Sequence, residues 1–257
     1  MIENELTDEA YWDKSWETLP VYKPLATNHP YFGKDGTFVR MIRRYVGNVE
    51  NMRILEVGAG GDNHRLLALH RWGGAQVSGV DYSQVGLRIL LHVFQSNNGV
   101  VETIHGDFLK LPPPEQKYDM VVHWGVIEHF SDPLPMLRAC QAALRPGGRL
   151  LFSMPNMDAW AAIAWARFSP ANWAKHVYHS DQGIRRACED AQFEVNSTFY
   201  FGGVAVEMAN WERSGAVPFL LNCGQRFANL ASRFMPDLGN RRLCMERGVV
   251  ARARSTN

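Results

Sequence analysis

Arg53-Ile54-Leu55-Glu56-Val57-Gly58-Ala59-Gly60-Gly61-Asp62-Asn63 is the stretch that decides the fold of this chain. Ile54, Leu55 and Val57 form the kind of apolar run that is buried in a parallel strand. Three glycines within four residues then break it, and His64-Arg65-Leu66-Leu67-Ala68-Leu69 starts a helix. Strand, glycine turn and helix together let a ligand approach backbone N–H groups with no Cβ in the way. A dinucleotide loop reads G-x-G-x-x-G. Gly58 and Gly60 fit that pattern, but the sixth position is Asn63. Asp62 also places a carboxylate where a pyrophosphate would be repelled, and Glu56 at the mouth of the strand acts in the same sense. The expected guest is a nucleoside that carries a cation, not a dinucleotide.

Outward from the loop the pattern repeats. Ala75–Val80 reads as a second strand and ends in Asp81, where a carboxylate can accept both hydroxyls of a ribose. Val101–Ile104 reads as a third, followed by His105-Gly106-Asp107-Phe108. Tyr118–His123 reads as a fourth and runs into Trp124-Gly125-Val126-Ile127-Glu128-His129-Phe130. Leu144-Arg145-Pro146-Gly147-Gly148 precedes a fifth, Leu150–Met154. Helices are expected at 63–72, 83–95 and 132–144, so strand and helix alternate over 53–156. That alternation implies a parallel sheet with right-handed crossovers and ligands at the carboxyl ends of the strands.

Taken together, E-x-G-x-G, the acid after strand two, G-D-F, G-V-I-E-H-F and L-R-P-G-G resemble the class I S-adenosylmethionine (SAM)-dependent methyltransferases. The resemblance covers residues 50–156 well and the flanks loosely. It implies an α/β, Rossmann-like, seven-stranded and mostly parallel sheet flanked by helices, with the last strand antiparallel. Phe193–Tyr200 and Arg247–Ala253 fit the sixth and seventh strands. The implied cofactor is SAM, with S-adenosylhomocysteine as product and no metal. By the same resemblance Glu56 and the loop Gly58, Ala59 and Gly60 hold the methionyl end. Asp81 takes the ribose hydroxyls and Tyr82 packs on the adenosine. Asp107 accepts from the adenine amine, Phe108 flanks the ring, and the backbone at His123 and Trp124 meets the amino-acid moiety.

Length and composition agree with one embellished α/β domain over 1–257. Apolar residues make up 46% of the 257, enough for a large core. Lys and Arg exceed Asp and Glu by one, so no global field attracts nucleic acid or an anionic membrane. Cys140, Cys188, Cys223 and Cys244 have no metal-ligand spacing and read as reduced thiols of a cytoplasmic protein. No signal peptide is expected at the acidic N-terminus. The longest apolar run, 159–166, is too short to span a bilayer.

Methyl transfer from a sulfonium needs alignment, exclusion of water and sometimes a base. The segments around the core are therefore expected to supply the acceptor side. Residues 1–50 read as a helical lid, with Tyr11, Trp12 and Trp16 near one face of a helix over 8–18; packing on the core is the alternative role. Helical insertions are expected at 157–180, after strand five, and at 204–235, between strands six and seven. Trp160, Trp173 and Trp211 there, with Tyr11 and Trp12, are candidate walls of an apolar pocket for a small, partly apolar or aromatic acceptor. His129, His176 and His179 are the candidate bases, each with a structural role as the alternative. Five arginines in 241–254 suit either an anionic acceptor or a solvated strand. A non-catalytic SAM-fold binding protein and another SAM- or NAD-linked Rossmann enzyme are the competing functions.

Overall fold

A computed structural model describes residues 7–17, 24–61, 63–202 and 239–254. Its centre is a seven-stranded sheet in the order β3-β2-β1-β4-β5-β7-β6. The strands are β1 (Arg53–Val57), β2 (Gln76–Asp81), β3 (Glu102–His105), β4 (Tyr118–Trp124), β5 (Leu144–Pro155), β6 (Phe193–Phe201) and β7 (Glu246–Ala253). β1 pairs in parallel with β2 and β4, and β4 with β5, whereas β7 runs antiparallel between β5 and β6. The helices are α1 (Glu9–Glu17), α2 (Thr37–Tyr45), α3 (His64–Gly73), α4 (Gln84–Gln95), α5 (Leu134–Ala143), α6 (Trp160–Phe168), α7 (Pro170–Trp173) and α8 (Asp181–Asp190).

The two-residue period of the strands divides the core in two. Ile54, Met120, Val122, Leu151 and Val250 face a cluster built with α2, α3 and α4. Leu55, Val57, Val121, Leu150 and Phe152 face a second cluster built with α5 and α8. Each fully buried side chain of this kind stabilises the fold by about 1.5–3 kcal/mol relative to exposure. Both faces are covered, which is why these strands are apolar runs and not alternating ones. Where the chain meets α6 a third, small cluster gathers Ala159, Ala162, Trp165 and Met245.

Local signals set the helix ends. Asn63 caps α3, its Oδ1 accepting from the Leu66 N–H at 2.9 Å, and Gly74 closes the helix in the left-handed region. Ser83 caps α4 by accepting from the Gly86 N–H at 2.9 Å. The expected strands and helices are present to within a few residues, with two differences. β5 extends back through Leu144-Arg145-Pro146-Gly147-Gly148, because a register shift between Tyr118 and Met120 lets that turn-like run pair with β4. A short helical turn also forms at Ile127–His129, directly after β4, and another at Pro170–Trp173 within the expected 157–180 insertion. The helix expected at 218–234, most of the 204–235 insertion, Trp211 and Cys223 lie outside the described residues. No helix among those described is long and apolar enough to cross a membrane.

Cys140, Cys188 and Cys244 are buried, and burial pushes the Cys140 and Cys188 thiols up, Cys188 to about 12, so these two are inert core thiols. Of the arginines in 241–254, Arg247 is neither solvated nor available to an acceptor. Its guanidinium is buried and bonds Asp181 Oδ1 at 2.5 Å and the His179 carbonyl at 2.6 Å. It clamps β7 to the start of α8.

Candidate active site

The carboxyl ends of β1, β2 and β4 meet at the glycine loop. Gly58 has φ +70°, and a Cβ there would lie 2.7 Å from a Val126 methyl; at Gly60 it would lie 2.8 Å from Asp81 Oδ2. The loop's N–H groups are consumed by the protein itself. Gly58 and Ala59 donate to the Val80 carbonyl, Gly60 to Asp81 Oδ2 at 2.8 Å, and Gly61 to the Gly86 carbonyl. The loop therefore offers close approach without a ring of free donors, which corrects the expectation of N–H groups open to a ligand. No cradle for a pyrophosphate is built from them.

Glu56 is the notable side chain here. It is 2% exposed, and burial raises its pKa to about 8. Oε1 accepts from Asn63 Nδ2 at 2.5 Å, while Oε2 is buried near the Trp124 indole without a well-formed hydrogen bond. Asn63, the residue that breaks the dinucleotide pattern, thus caps α3 and holds this carboxyl at once. An orphaned buried carboxylate oxygen beside a crowded glycine loop fits an ammonium such as the methionyl amino group of SAM. Close by, Arg65 bonds Glu246 Oε1 at 3.0 Å and lies 5.2 Å over the Trp124 ring, and Ser153 Oγ donates to Glu246 Oε2.

Asp81 is 8% exposed, and besides Gly60 it accepts from the Ser83 N–H at 2.7 Å. It is a structural tie between loop and strand, not the solvated strand-end acid that is its simplest alternative. Burial raises its pKa, against the pull of these two N–H groups. Tyr82 is half-buried, and its carbonyl receives a bond from His105 Nε2. Asp107 shapes its own turn: Oδ1 accepts from the Leu109 N–H and Oδ2 pairs with Lys110 at 2.9 Å. Phe108 packs at the edge of the second core cluster. His123 is wholly buried and stacked on Phe152 at 4.9 Å, with neither ring nitrogen bonded. Its imidazole is a core group held neutral by burial, with a pKa lowered to about 3, so only its backbone is left for a ligand. Trp124 packs edge-on to Phe38 in the first cluster.

α1 lies across this region. Its Asp13 accepts from Ser83 Oγ at 2.5 Å, and Trp16 sits where Cβ atoms at Gly61 and Gly86 would be. Trp12 stacks on Trp16 at 5.4 Å and meets His129 edge-on at 5.8 Å. Tyr11 lies under the Lys175 ammonium, 4.0 Å from the ring centre. One helix therefore touches the glycine loop, the cap of α4 and the segment after β5.

The third group of residues stands at the end of β4. The Ile127–His129 turn presents Glu128 and His129, and the residue just beyond α7 and Ala174-Lys175 is His176. Each of these three offers a ligand atom within 4.8 Å of the others', and all are buried. His129 Nδ1 donates to the Lys175 carbonyl at 2.8 Å, and His176 Nδ1 to the Asn172 carbonyl at 2.9 Å. Each ring's lone pair is therefore on Nε2. Burial, the neighbouring His176 and Lys175 bring His129 down to about 4, and burial lowers His176 as well. Both carboxyl oxygens of Glu128 are buried with no hydrogen bond to another residue among those described, and burial raises its pKa to about 8 against the pull of its own backbone N–H. His176 packs on Trp165 at 4.8 Å, and Trp165 meets Trp173 edge-on at 4.9 Å.

His179 is not part of this group. Its Nε2 donates to the Phe130 carbonyl at 3.1 Å, and its own carbonyl accepts from Arg247. Trp160 is 62% exposed on α6. Of the expected residues, the fold thus brings Trp12, His129, His176 and, through Trp165, Trp173 together, and leaves His179 and Trp160 outside. Glu128, Asn63, Asp13 and Ser83 were not singled out as site residues by sequence. An Asn or Ser immediately before an apolar helix is a cap signal that marks two of them. No spacing rule marks a Glu that becomes orphaned only on folding.

A family model described as a methyltransferase domain matches residues 35–198. The chain is 30% identical over 203 residues to the ubiquinone biosynthesis O-methyltransferase of Leptothrix cholodnii, covering 73% of this chain and 79% of that one. The corresponding protein of Bordetella bronchiseptica is 32% identical over 145 residues, 56% of each chain. Among solved structures, an S-adenosylmethionine-dependent methyltransferase from Mesorhizobium loti superposes with a TM-score of 0.55 at 17% identity, over 86% of this chain and all of that one. The [4+2]-cyclase SpnF superposes with a TM-score of 0.56 at 18% identity, over 85% of this chain and 80% of that one. At such identities only the fold is shared, and it serves more than one chemistry. The sequence matches are decisive where the fold is not: the chain belongs to the methyltransferase domain family and is a SAM-dependent methyltransferase.

Proposed function

We propose that the enzyme methylates a hydroxyl oxygen of a small acceptor with an apolar or aromatic body. The observation that carries this reading is the buried Glu128, His129 and His176 group at the end of β4, joined to the glycine loop by Trp12 and Trp16 of α1. A hydroxyl is a poor nucleophile until its proton is displaced or strongly polarised, whereas amines and thiols need less help. A polar cluster inside an aromatic wall is what such an acceptor requires. The names of the relatives at about 30% identity, O-methyltransferases of ubiquinone biosynthesis, point in the same direction.

SAM, when bound, supplies a methyl already activated by the sulfonium charge. The chain's own residues then position and shield. Glu56 takes the amino group, Asp81 the ribose hydroxyls, Tyr82 and Phe108 flank the adenosine, and Asp107 receives from the adenine amine. α1 acts as a lid that excludes water, and Tyr11, Trp12 and Trp173 form the acceptor wall. The test is incubation of the full chain with methyl-labelled SAM and a panel of phenols, catechols and amines. Products are read by mass, and the methylated atom by nuclear magnetic resonance. The expected product is a methyl ether of a phenolic acceptor; methylation confined to the amines overturns the reading.

A further inference from the structure

We propose that Glu128, His129 and His176 form a binding site for a single divalent transition-metal ion of the zinc type. Two imidazoles and one carboxylate are the donor set of an open zinc site, with a coordination position left for a water or a substrate oxygen. Hard ions such as magnesium and calcium prefer all-oxygen sets and fit poorly here.

Three independent features of the chain support it. The three ligand atoms lie within 4.8 Å of one another. Ligands on one tetrahedral zinc stand roughly 3.4 Å apart, so the side chains close by about 1.4 Å at most. Both imidazoles are held in the tautomer of metal-bound histidines: His129 Nδ1 donates to the Lys175 carbonyl and His176 Nδ1 to the Asn172 carbonyl, which leaves Nε2 unprotonated. Glu128 is 1% exposed, and no other residue among those described hydrogen-bonds its carboxyl oxygens, its own backbone N–H alone drawing on them. A buried carboxyl without a partner is costly whether charged or neutral. A cation bound between it and two lone-pair nitrogens removes that cost, and nothing else among the described residues satisfies it.

The site shares residues with the proposed acceptor pocket, but it stands on coordination chemistry and not on the identity of the acceptor. In the setting of that proposed function, the ion would hold and polarise the hydroxyl, and the imidazoles would serve as ligands instead of bases.

The test uses the full chain stripped with a chelator. Zinc chloride is titrated calorimetrically, and cobalt chloride by visible absorption. One ion per chain is expected, with a cobalt spectrum of nitrogen and oxygen ligands. Glu128→Gln and His176→Phe should each weaken zinc binding by 10-fold or more. His176→Phe keeps a ring against Trp165, and unchanged circular dichroism and SAM affinity show that both variants fold. Undiminished zinc affinity in both folded variants overturns the proposal. So does a cobalt–thiolate charge-transfer band, or the lack of stoichiometric binding by the wild type. Because the readout is metal binding, failure here leaves O-methylation standing, and failure to methylate phenols leaves the site standing.

Discussion

Two carboxyls at the glycine loop carry different burdens. Asp81 bonds the Gly60 and Ser83 N–H groups, so Asp81→Ala removes a loop tie as well as a ribose acceptor. The expected outcome is a loss of about 1.5–3 kcal/mol in SAM binding together with a stability loss of about 1–3 kcal/mol. Calorimetric titration and denaturant unfolding measure the two separately. Unchanged affinity would place the ribose elsewhere. Glu56 instead keeps one oxygen unbonded and sits near pKa 8, so near neutral pH it is largely protonated in the free enzyme. An ammonium beside it favours the ionised form, and SAM binding at pH 7 is therefore expected to release a proton. Titrations in buffers of different ionisation enthalpy detect that proton, and Glu56→Gln should abolish its release. Proton release that persists in the variant would exclude Glu56 as its source.

Among the elements, α8 shows how an ion pair fixes a joint. Ser180 caps the helix, Asp181 opens its first turn, and Arg247 of β7 reaches Asp181 from a site with 5% side-chain exposure. Tyr200 donates to the other Asp181 oxygen at 2.9 Å. Asp181→Ala leaves the guanidinium buried with only the His179 carbonyl and the Met154 sulfur. Breaking a fully buried pair costs about 3–5 kcal/mol, but Asp181 is 38% exposed and its charge is partly screened. A loss of about 2–3 kcal/mol by urea unfolding is expected. A change below about 0.5 kcal/mol would mean that the pair contributes only what surface pairs do.

Over the whole molecule, buried ionisable groups set a pH profile for stability. Glu56 is raised from 4.5 to about 8, so the folded state holds its proton more tightly and the contribution falls as pH rises from 4.5 to 8. His123 is lowered from 6.5 to about 3, so the unfolded state binds its proton more tightly and the contribution falls as pH drops from 6.5 to 3. The two oppose each other between 4.5 and 6.5, and Glu56 acts without that opposition above 6.5. Thermal melts should therefore decline between pH 6.5 and 8, with a slope from this group of up to about 1.4 kcal/mol per pH unit. Glu56→Gln should remove part of that limb, the rest being carried by Glu128, which burial also raises to about 8, and His123→Phe should soften the acid one. An alkaline limb equally steep in the glutamine variant would assign it to other groups.

The sheet core was legible because its information is local. Apolar runs of four to seven residues, glycines at their ends and helix caps after them are all written within a few positions of chain. They recovered the first five strands and put Glu56, Gly58, Asp81 and Asp107 at strand ends, while 193–200 and 247–253 were fitted to the last two strands through the family resemblance. Sequence could equally show that Asn63 departs from a dinucleotide loop. It could not show that Asn63 holds Glu56, since that depends on where α3 turns back over β1. The family resemblance gives His123 a backbone role beside the cofactor, and only the pleat shows that its ring lies in the core against Phe152. The Glu128, His129 and His176 group is the clearest case: Glu128 and His176 are separated by α5, β5, α6 and α7, and no spacing predicts that they meet. Only packing of the segment after β5 onto the turn after β4, through the Val177 N–H to the Glu128 carbonyl, brings them together. Local pattern determined which fold this chain adopts, and long-range contacts decided which of its polar groups became a site.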